Sequence, residues 1–126
     1  MAKSSVLIVD GDGELAKIIA AFLNLQGYRV NYVTRIRDAV SKLALQKYTA
    51  ILLDPKLPNG ERGEEVIRAA GDPGGMNSVT PFILMCKDTA YRLPNDSVRH
   101  VRGIVGKPFQ FEDLLGSLQG PLQARS

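Results

Sequence analysis

The sequence predicts an α/β domain in which helices cover both faces of a parallel β-sheet. The first observation is that short apolar runs alternate along the chain with segments whose apolar residues recur at helical spacing. The second is that the run TAILL at 49–53 is almost continuously apolar, as is typical of a central parallel strand buried on both faces. Strands and helices that alternate in this way form a three-layer α-β-α architecture. The 126 residues, 44% of them hydrophobic, suit one such domain.

Five strands and four helices can be placed on the chain in order. The strands are predicted at 5–9, 28–33, 49–53, 81–86 and 103–105, and the helices at 14–26, 35–46, 64–70 and 111–118. Gly27 is a natural stop for the first helix, and Thr34 is a suitable N-cap for the second. Two loops rich in glycine and proline, 55–63 and 71–80, flank the third helix, and we expect the second loop to be mobile.

The second helix and the segment before the fifth strand each carry a more specific prediction. In the helix, the apolar side chains expected to face inward are Ile36, Ala39, Val40, Leu43 and Ala44. The segment 87–102 has room for a helix, but Pro94 and Asn95 should interrupt it because proline breaks a helix interior.

Composition and charge exclude several classes of protein. Sixteen Lys and Arg against thirteen Asp and Glu give a net charge of +3, and the basic residues are scattered, so we expect no direct binding of nucleic acid. A single cysteine, Cys86, excludes an internal disulfide and fits a reducing compartment. The N-terminal stretch MAKSSVLIVDGDGE matches neither a signal peptide nor a membrane span. We therefore expect a cytoplasmic protein that makes no membrane contact.

Polar or reactive residues stand at or just after the ends of four of the five predicted strands. Asp10 and Asp12 follow the first strand, Asp54 the third and Lys107 the fifth, while Cys86 ends the fourth. Taken singly, each has an ordinary interpretation: a helix cap or turn for an aspartate, a surface position for the lysine, a small buried apolar group for the cysteine. Together they would meet at the carboxyl edge of the sheet, where ligands bind in such folds. Carboxylates suit magnesium, an ammonium suits phosphate, and an aspartate can act as a nucleophile.

Four segments of the chain carry recognisable motifs: VLIVD at 6–10, LLDPKLPNGERGEEV at 52–66, PFILMC at 81–86 and GKPFQFEDLL at 106–115. Together they resemble the receiver domain of bacterial two-component response regulators, and in particular chemotaxis-regulator-like domains. Each segment alone is moderately specific for the family, whereas four segments in the same order and at matching spacings are strongly specific for it. The resemblance implies a flavodoxin-like fold with five parallel strands in the order 2-1-3-4-5.

The resemblance also implies the extent of the domain and its connections. We expect a receiver domain over 1–119 and a tail or the start of a linker over 120–126. It would signal through the face that the family builds from its fourth helix, fifth strand and fifth helix, to a downstream protein or a covalently linked output domain. A homodimer through the same face is a further possibility. Such a domain is a phosphoacceptor rather than an enzyme, capable at most of self-catalysed phosphoryl transfer and autodephosphorylation.

The family's site residues can be carried over position by position. Asp54 would accept a phosphoryl group from a phosphohistidine of a sensor kinase or a phosphotransfer protein. Mg²⁺ would be held by Asp10, Asp54 and the backbone carbonyl of Lys56, with Asp12 as a further candidate ligand. Lys107 would contact the phosphoryl oxygens, so that positioning and charge neutralisation drive the transfer.

Several positions depart from the family pattern. Gly11 replaces the second acid after the first strand, so magnesium affinity should be weakened and Gly11→Asp should tighten it. Cys86 stands at the usual Ser/Thr position, and a thiol is a poor hydrogen-bond donor. Ile104 takes the position of the switching aromatic residue. Gly63 stands nine residues after Asp54, which makes this loop one residue longer than is usual.

These departures leave a second hypothesis open. The chain would then be a pseudo-receiver, a protein-interaction module that works without phosphorylation. In that case Lys56 or Lys87 would pair with Asp10 and Asp54 in place of the metal and lock one state. A third class, an aspartyl-phosphate hydrolase, is disfavoured because Lys56 stands where such an enzyme needs a general acid.

Overall fold

A computed structural model describes residues 4–58, 60–88, 92 and 100–119 of the chain. Its centre is a parallel five-stranded sheet in the order β2-β1-β3-β4-β5. The strands are β1 (Ser5–Val9), β2 (Arg29–Val33), β3 (Ala50–Leu53), β4 (Phe82–Cys86) and β5 (Val101–Gly106). The described helices are α1 (Gly13–Leu25), α2 (Ile36–Leu45), α3 (Glu64–Ala70) and α4 (Phe111–Gln119). The predicted three-layer flavodoxin-like fold is confirmed.

Element boundaries differ from the prediction mainly around β5. The strand begins at Val101 rather than at residue 103, because Phe82 pairs with Val101 and the register then shifts by one residue before Ile83 pairs with Gly103. The predicted interruption at Pro94 and Asn95 and the predicted tail 120–126 lie outside the described residues. None of the helices that the structure describes is long and apolar enough to cross a membrane.

The hydrophobic core lies on both faces of the sheet because successive strand residues point to opposite sides. Every residue of β3 and β4 is buried, as the apolar run in each strand predicts. One face packs against α2 and α3 through a cluster that includes Leu7, Ile51, Leu53, Phe82, Leu84, Leu43 and Ile67. The other packs against α1 and α4 through a cluster that includes Val6, Ile8, Leu52, Ile83, Ile19, Leu23 and Leu114. Helices on both faces leave the carboxyl edge of the sheet accessible.

The start of α2 is not capped by the predicted residue. Thr34 does not hold the N-cap position, which belongs to Arg35, and the Arg35 side chain makes no capping hydrogen bond. Instead, Oε1 of Glu61 accepts a hydrogen bond from the backbone N–H of Ile36 at 2.9 Å. The Thr34 prediction is wrong because a carboxylate from a distant loop supplies the acceptor that the first turn needs.

The inward face of α2 is narrower than the prediction. Ile36, Ala39 and Leu43 are buried as expected. Val40 is 38% exposed and Ala44 is also exposed, so both predictions are wrong. The buried residues of α2 form a single stripe at three- and four-residue spacing, and Val40 and Ala44 lie beside that stripe rather than in it.

The loop between α3 and β4 is fastened by a buried side chain, although its composition predicts mobility. The Nδ2 group of Asn77 donates to the carbonyls of Leu43 and Gln46, both at 2.8 Å. Its Oδ1 accepts from the backbone N–H of Tyr48 at 2.8 Å and from the hydroxyl of Thr80 at 3.0 Å. Asn77 thereby satisfies carbonyls at the end of α2 that the helix itself cannot pair.

Candidate functional site

The residues that follow the strands meet in one cavity, as the sheet topology predicts. Val9 of β1 is in register with Leu53 of β3, so Asp10 and Asp54 leave the sheet side by side. On the other side, the backbone N–H of Lys107 donates to the carbonyl of Cys86 at 2.7 Å. Asp10, Asp12, Asp54, Cys86 and Lys107 all line a cavity of about 420 Å³ at this edge.

Lys107 lies between the two carboxylates. Its Nζ is 2.7 Å from Oδ2 of Asp10 and 3.1 Å from Oδ2 of Asp54. The lysine side chain is 9% exposed, and those of Asp10 and Asp54 are 1% and 15% exposed. Burial lowers the pKa of Lys107, but the hydrogen bond and charge of Asp10 and the charge and hydrogen bond of Asp54 outweigh it and raise this pKa. A protonated ammonium therefore compensates two neighbouring negative charges.

Asp10 and Asp12 occupy different environments although only one residue separates them. Asp10 is buried, and its Oδ1 accepts a hydrogen bond from the backbone N–H of Asp12 at 2.9 Å. Asp12 is exposed and caps α1, because its Oδ1 accepts from the N–H of Leu15 at 3.1 Å. Asp12 thus has the ordinary role of a helix cap that its position after the strand allowed. It also borders the cavity. A role for Asp12 as a metal ligand stays a prediction.

The loop after Asp54 folds back on itself. Oδ1 of Asp54 accepts a hydrogen bond from the backbone N–H of Lys56 at 3.0 Å, and Lys56 forms an isolated antiparallel bridge with Arg62. Where the loop closes, a Cβ on Gly63 would come within 2.7 Å of the carbonyl oxygen of Asp54 and 2.8 Å of Cα of Pro55. Only glycine permits this approach, so the path of this loop requires Gly63.

Cys86 contributes a neutral group to the cavity. The residue is 2% exposed at the end of β4. Burial raises the pKa of its thiol, the charge of Asp54 raises it further, and the charge of Lys107 acts in the opposite direction. The thiol is therefore protonated at neutral pH and is at most a weak hydrogen-bond donor.

Ile104 lies on the outer side of β5 and is 54% exposed. Its neighbours in the strand, Gly103 and Val105, are half-buried and buried. An aliphatic side chain at this position has no polar group and no aromatic ring. It therefore cannot act as an aromatic residue that switches between an inward and an outward orientation. Ile104 instead presents an exposed apolar side chain on β5.

Pro58 borders the cavity, and its close approach to Gly11 was not predicted from the sequence. A Cβ on Gly11 would lie 2.1 Å from Cδ and 2.7 Å from Cγ of Pro58. The proline ring therefore fills the space beside the backbone of Gly11, at the position where the family carries its second acid. The family resemblance includes this proline, four residues after Asp54, but it does not show that the loop approaches residue 11.

The donor groups at the cavity fit magnesium. Two carboxylates, on Asp10 and Asp54, with a backbone carbonyl at Lys56 are the kind of set that Mg²⁺ completes with waters and phosphate oxygens. Among the described residues there is no group of three or more His, Cys, Asp or Glu side chains placed to hold a metal ion.

Comparison with known proteins agrees with this geometry. The model of the response regulator receiver domain family matches residues 6–119. The chain belongs to this family. The swarming motility regulation protein RssB of Serratia marcescens is 29% identical over 117 residues, which are 91% of this chain and 51% of that protein. The uncharacterized transcriptional regulatory protein YkoG of Bacillus subtilis is 31% identical over 127 residues, 98% of this chain and 53% of that protein. The receiver chain thus spans about half the length of both curated relatives.

A solved receiver domain has the same architecture. The receiver domain of the sensor histidine kinase PA1611 from Pseudomonas aeruginosa superposes with a TM-score of 0.75 at 29% identity, covering 94% of this chain and 96% of that one. That structure carries a magnesium ion coordinated in its active site cleft. The present chain is accordingly a receiver domain of the two-component response regulator class, a signalling domain.

Proposed function

We propose that this receiver domain accepts a phosphoryl group on Asp54. The observation that carries the proposal is the position of Lys107, whose ammonium lies within hydrogen-bond distance of both Asp54 and the buried Asp10. A carboxylate nucleophile, a neighbouring carboxylate and a fixed cation are the groups that phosphoryl transfer to an aspartate requires. The family and the magnesium-bound relative support the same assignment.

The transfer is a displacement at phosphorus. An oxygen of Asp54 forms the new P–O bond, the P–N bond to the donor histidine breaks, and the leaving imidazole keeps the electron pair and takes up a proton. Lys107 would move its hydrogen bonds from the carboxylates to the phosphoryl oxygens, where negative charge is concentrated. Cys86 would face the same oxygens with only a weak donor.

Magnesium would be held by Asp10, by Asp54 and by the backbone carbonyl of Lys56, with Asp12 at the rim of the same cavity. When bound, it would neutralise charge on the phosphoryl group. Gly11 supplies no side chain to this set, so we propose that affinity is weaker than that of a site with three acids. The tight approach of Lys107 to both carboxylates also opposes metal entry.

The donor and the recipient of the signal follow from the family. We propose that a sensor histidine kinase or a phosphotransfer protein supplies the phosphoryl group in the cytoplasm. The output face would include β5 and α4, with the exposed Ile104 as one contact. The recipient would be a downstream protein, a linked output domain or a second copy of the chain. A linked domain is supported by the two curated relatives, in which the receiver accounts for 51% and 53% of the protein.

The pseudo-receiver is the second candidate, and one observation favours it. A cation already compensates Asp10 and Asp54, as this hypothesis requires, although the bridging ammonium belongs to Lys107 instead of Lys56 or Lys87. In that case the output face would bind its partner without phosphate.

Intact-mass analysis after incubation with acetyl phosphate separates the two candidates. The phosphoacceptor proposal predicts one added phosphoryl group that requires Mg²⁺ and is absent in Asp54→Asn. Asp88→Asn is the matched control, because Asp88 is an exposed carboxylate that lines the same cavity, and this variant should label normally. A lack of label at high magnesium in a folded wild-type protein would favour the pseudo-receiver.

A further inference from the structure

We infer that Glu61 is a positioning residue, whose carboxylate connects the loop after Asp54 to the first turn of α2 and makes that turn respond to what Asp54 binds. The same loop carries Lys56, whose backbone carbonyl is a proposed magnesium ligand. The part of the inference that concerns magnesium rests on the proposed function, whereas the connection between Asp54 and α2 does not.

The loop between β3 and α3 is closed by backbone contacts, so its two sides move together. Lys56 and Arg62 form an isolated antiparallel bridge. The backbone N–H of Leu57 donates to the carbonyl of Glu61 at 3.1 Å, and the N–H of Gly60 donates to the carbonyl of Leu57 at 3.3 Å. Gly60 has a φ of 83°, which glycine adopts without the strain that a side chain would add. Glu61 is thereby held at a fixed position relative to Lys56.

The first side of this loop is tied to Asp54. The backbone N–H of Asp54 donates to the carbonyl of Val9 at 2.9 Å, which fixes Asp54 at the end of the sheet. Oδ1 of Asp54 accepts a hydrogen bond from the N–H of Lys56 at 3.0 Å. A metal ion or a phosphoryl group would compete for the carboxylate oxygens, and a metal ion would also bind the carbonyl of Lys56. A change in what Asp54 binds therefore acts directly on the backbone of Lys56.

The second side of the loop is tied to α2 through both carboxylate oxygens of Glu61. Oε1 accepts from the N–H of Ile36 at 2.9 Å, and Oε2 lies 3.4 Å from both Nε and Nη2 of Arg35. The first turn of a helix has N–H groups without partners inside the helix, and the Arg35 side chain makes no capping bond. A negative charge is also favourable at a helix N-terminus. Displacement of Glu61 would therefore leave the start of α2 without its acceptor.

This connection gives the domain a response that does not depend on β5. Ile104 has no ring that could change its orientation, whereas Asp54, Lys56, Glu61 and Ile36 are joined by specific hydrogen bonds and one bridge. Coupling between two sites is reciprocal in free energy. A ligand at Asp54 that strengthens the cap of α2 is therefore bound more tightly when the cap is present.

The first test needs no metal and measures amide hydrogen exchange at Ile36. Asp54→Ala removes the acceptor for the N–H of Lys56, so exchange at Ile36 should become about fivefold faster, the change that one hydrogen bond of about 1 kcal/mol gives. Asp54→Asn is the matched control, because it removes the same charge but keeps an acceptor oxygen, and it should leave Ile36 within about twofold of wild type.

Two further readouts separate this connection from general destabilisation. The N–H of Gln46 donates to the carbonyl of Lys42 at 3.1 Å at the other end of α2, and its exchange should be the same in Asp54→Ala as in wild type. In a Glu61→Ala protein, Asp54→Ala should have no further effect on Ile36, because the connection is already broken. Unchanged exchange at Ile36 in Asp54→Ala, or equal acceleration at Ile36 and Gln46, would overturn the inference.

The second test measures magnesium binding by titration calorimetry. Glu61→Ala should bind magnesium about fivefold more weakly than wild type, because the coupling acts equally in both directions. Glu61→Gln keeps an acceptor oxygen and should restore most of the affinity. Glu65→Ala is the matched control, because it removes an exposed carboxylate nearby in the sequence and so measures the effect of the lost charge alone.

The magnesium measurement separates positioning from a purely structural role. A residue that only stabilised α2 would leave magnesium affinity unchanged, so equal affinities of Glu61→Ala and Glu65→Ala would contradict the role of Glu61. If wild type binds no magnesium, the metal part of the proposed function is wrong, and the metal-free exchange measurements still decide whether Asp54 acts on α2.

Discussion

Replacing Lys107 with methionine removes the ammonium that is hydrogen bonded to both site carboxylates and keeps a side chain of similar length. Asp10 is 1% exposed and Asp54 is 15% exposed, so neither carboxylate recovers full hydration. Removing one partner of a buried ion pair costs about 3–5 kcal/mol of unfolding free energy. We take the lower value, about 3 kcal/mol, because Asp54 borders a cavity that water can enter.

Urea unfolding followed by circular dichroism measures this loss. With an m-value of about 2 kcal/mol/M, the midpoint of Lys107→Met should lie about 1.5 M below that of wild type. Lys87→Met is the matched control, since Lys87 is an exposed lysine of the same cavity and its replacement should change stability by about 0.5 kcal/mol or less. If the two variants lost equally little stability, Lys107 would not be the cation that compensates the carboxylates.

Three further predictions concern pH and two buried contacts. The raised pKa of Lys107 means that its stabilisation is complete below the ordinary value of 10.5 and is lost as pH rises through the folded value. As pH is raised from neutral, the stability gap between wild type and Lys107→Met should therefore stay constant and narrow only above pH 10.5. Asn77→Ala should lower the unfolding free energy by about 3 kcal/mol in urea titrations, because it leaves buried carbonyls and the N–H of Tyr48 without partners. Glu61→Ala should cost about 1 kcal/mol in the same assay and speed amide exchange at Ile36, because α2 loses its cap.

Each of these has an internal control. The pKa of Tyr48 is also raised by burial, but Tyr48 is present in both proteins and its effect cancels in the difference. A gap between wild type and Lys107→Met that narrows already near neutral pH would contradict the assignment. Glu61→Gln keeps an acceptor oxygen and should retain most of the protection at Ile36, whereas equal exchange in the Ala and Gln variants would mean that the cap is immaterial. An Asn77→Ala protein as stable as wild type would show that water replaces the lost bonds.

Local patterns along the sequence were sufficient to predict the fold class, whereas the strand order was implied by the family resemblance. Buried parallel strands are continuous apolar runs, and a polar residue directly after each run fixes where the strand leaves the core. This is why Asp10, Asp54 and Lys107 could be placed at one edge before their distances were known. The ends of the helices were predicted less accurately, because the group that caps a helix can come from any part of the chain.

Contacts between distant loops were the part that the sequence did not reveal. Glu61 caps a helix that begins 25 residues before it, and nothing local to Ile36 indicates that partner. Pro58 fills the space beside Gly11 because the loop after β3 packs against the loop after β1. This contact depends on the path of both backbones. Asn77 fixes a glycine-rich loop whose composition predicts mobility, because its buried side-chain amide makes four hydrogen bonds.

The central claim is that Asp54 is the residue that receives the phosphoryl group. The most direct measurement is to label the protein with acetyl phosphate and magnesium, reduce it with borohydride and locate the modified residue by peptide mass spectrometry. Borohydride converts an aspartyl phosphate to homoserine and leaves free carboxylates unchanged. The account predicts homoserine at position 54 and at neither Asp10 nor Asp12. Homoserine at another position would contradict this account, and so would the absence of homoserine from protein labelled at saturating magnesium.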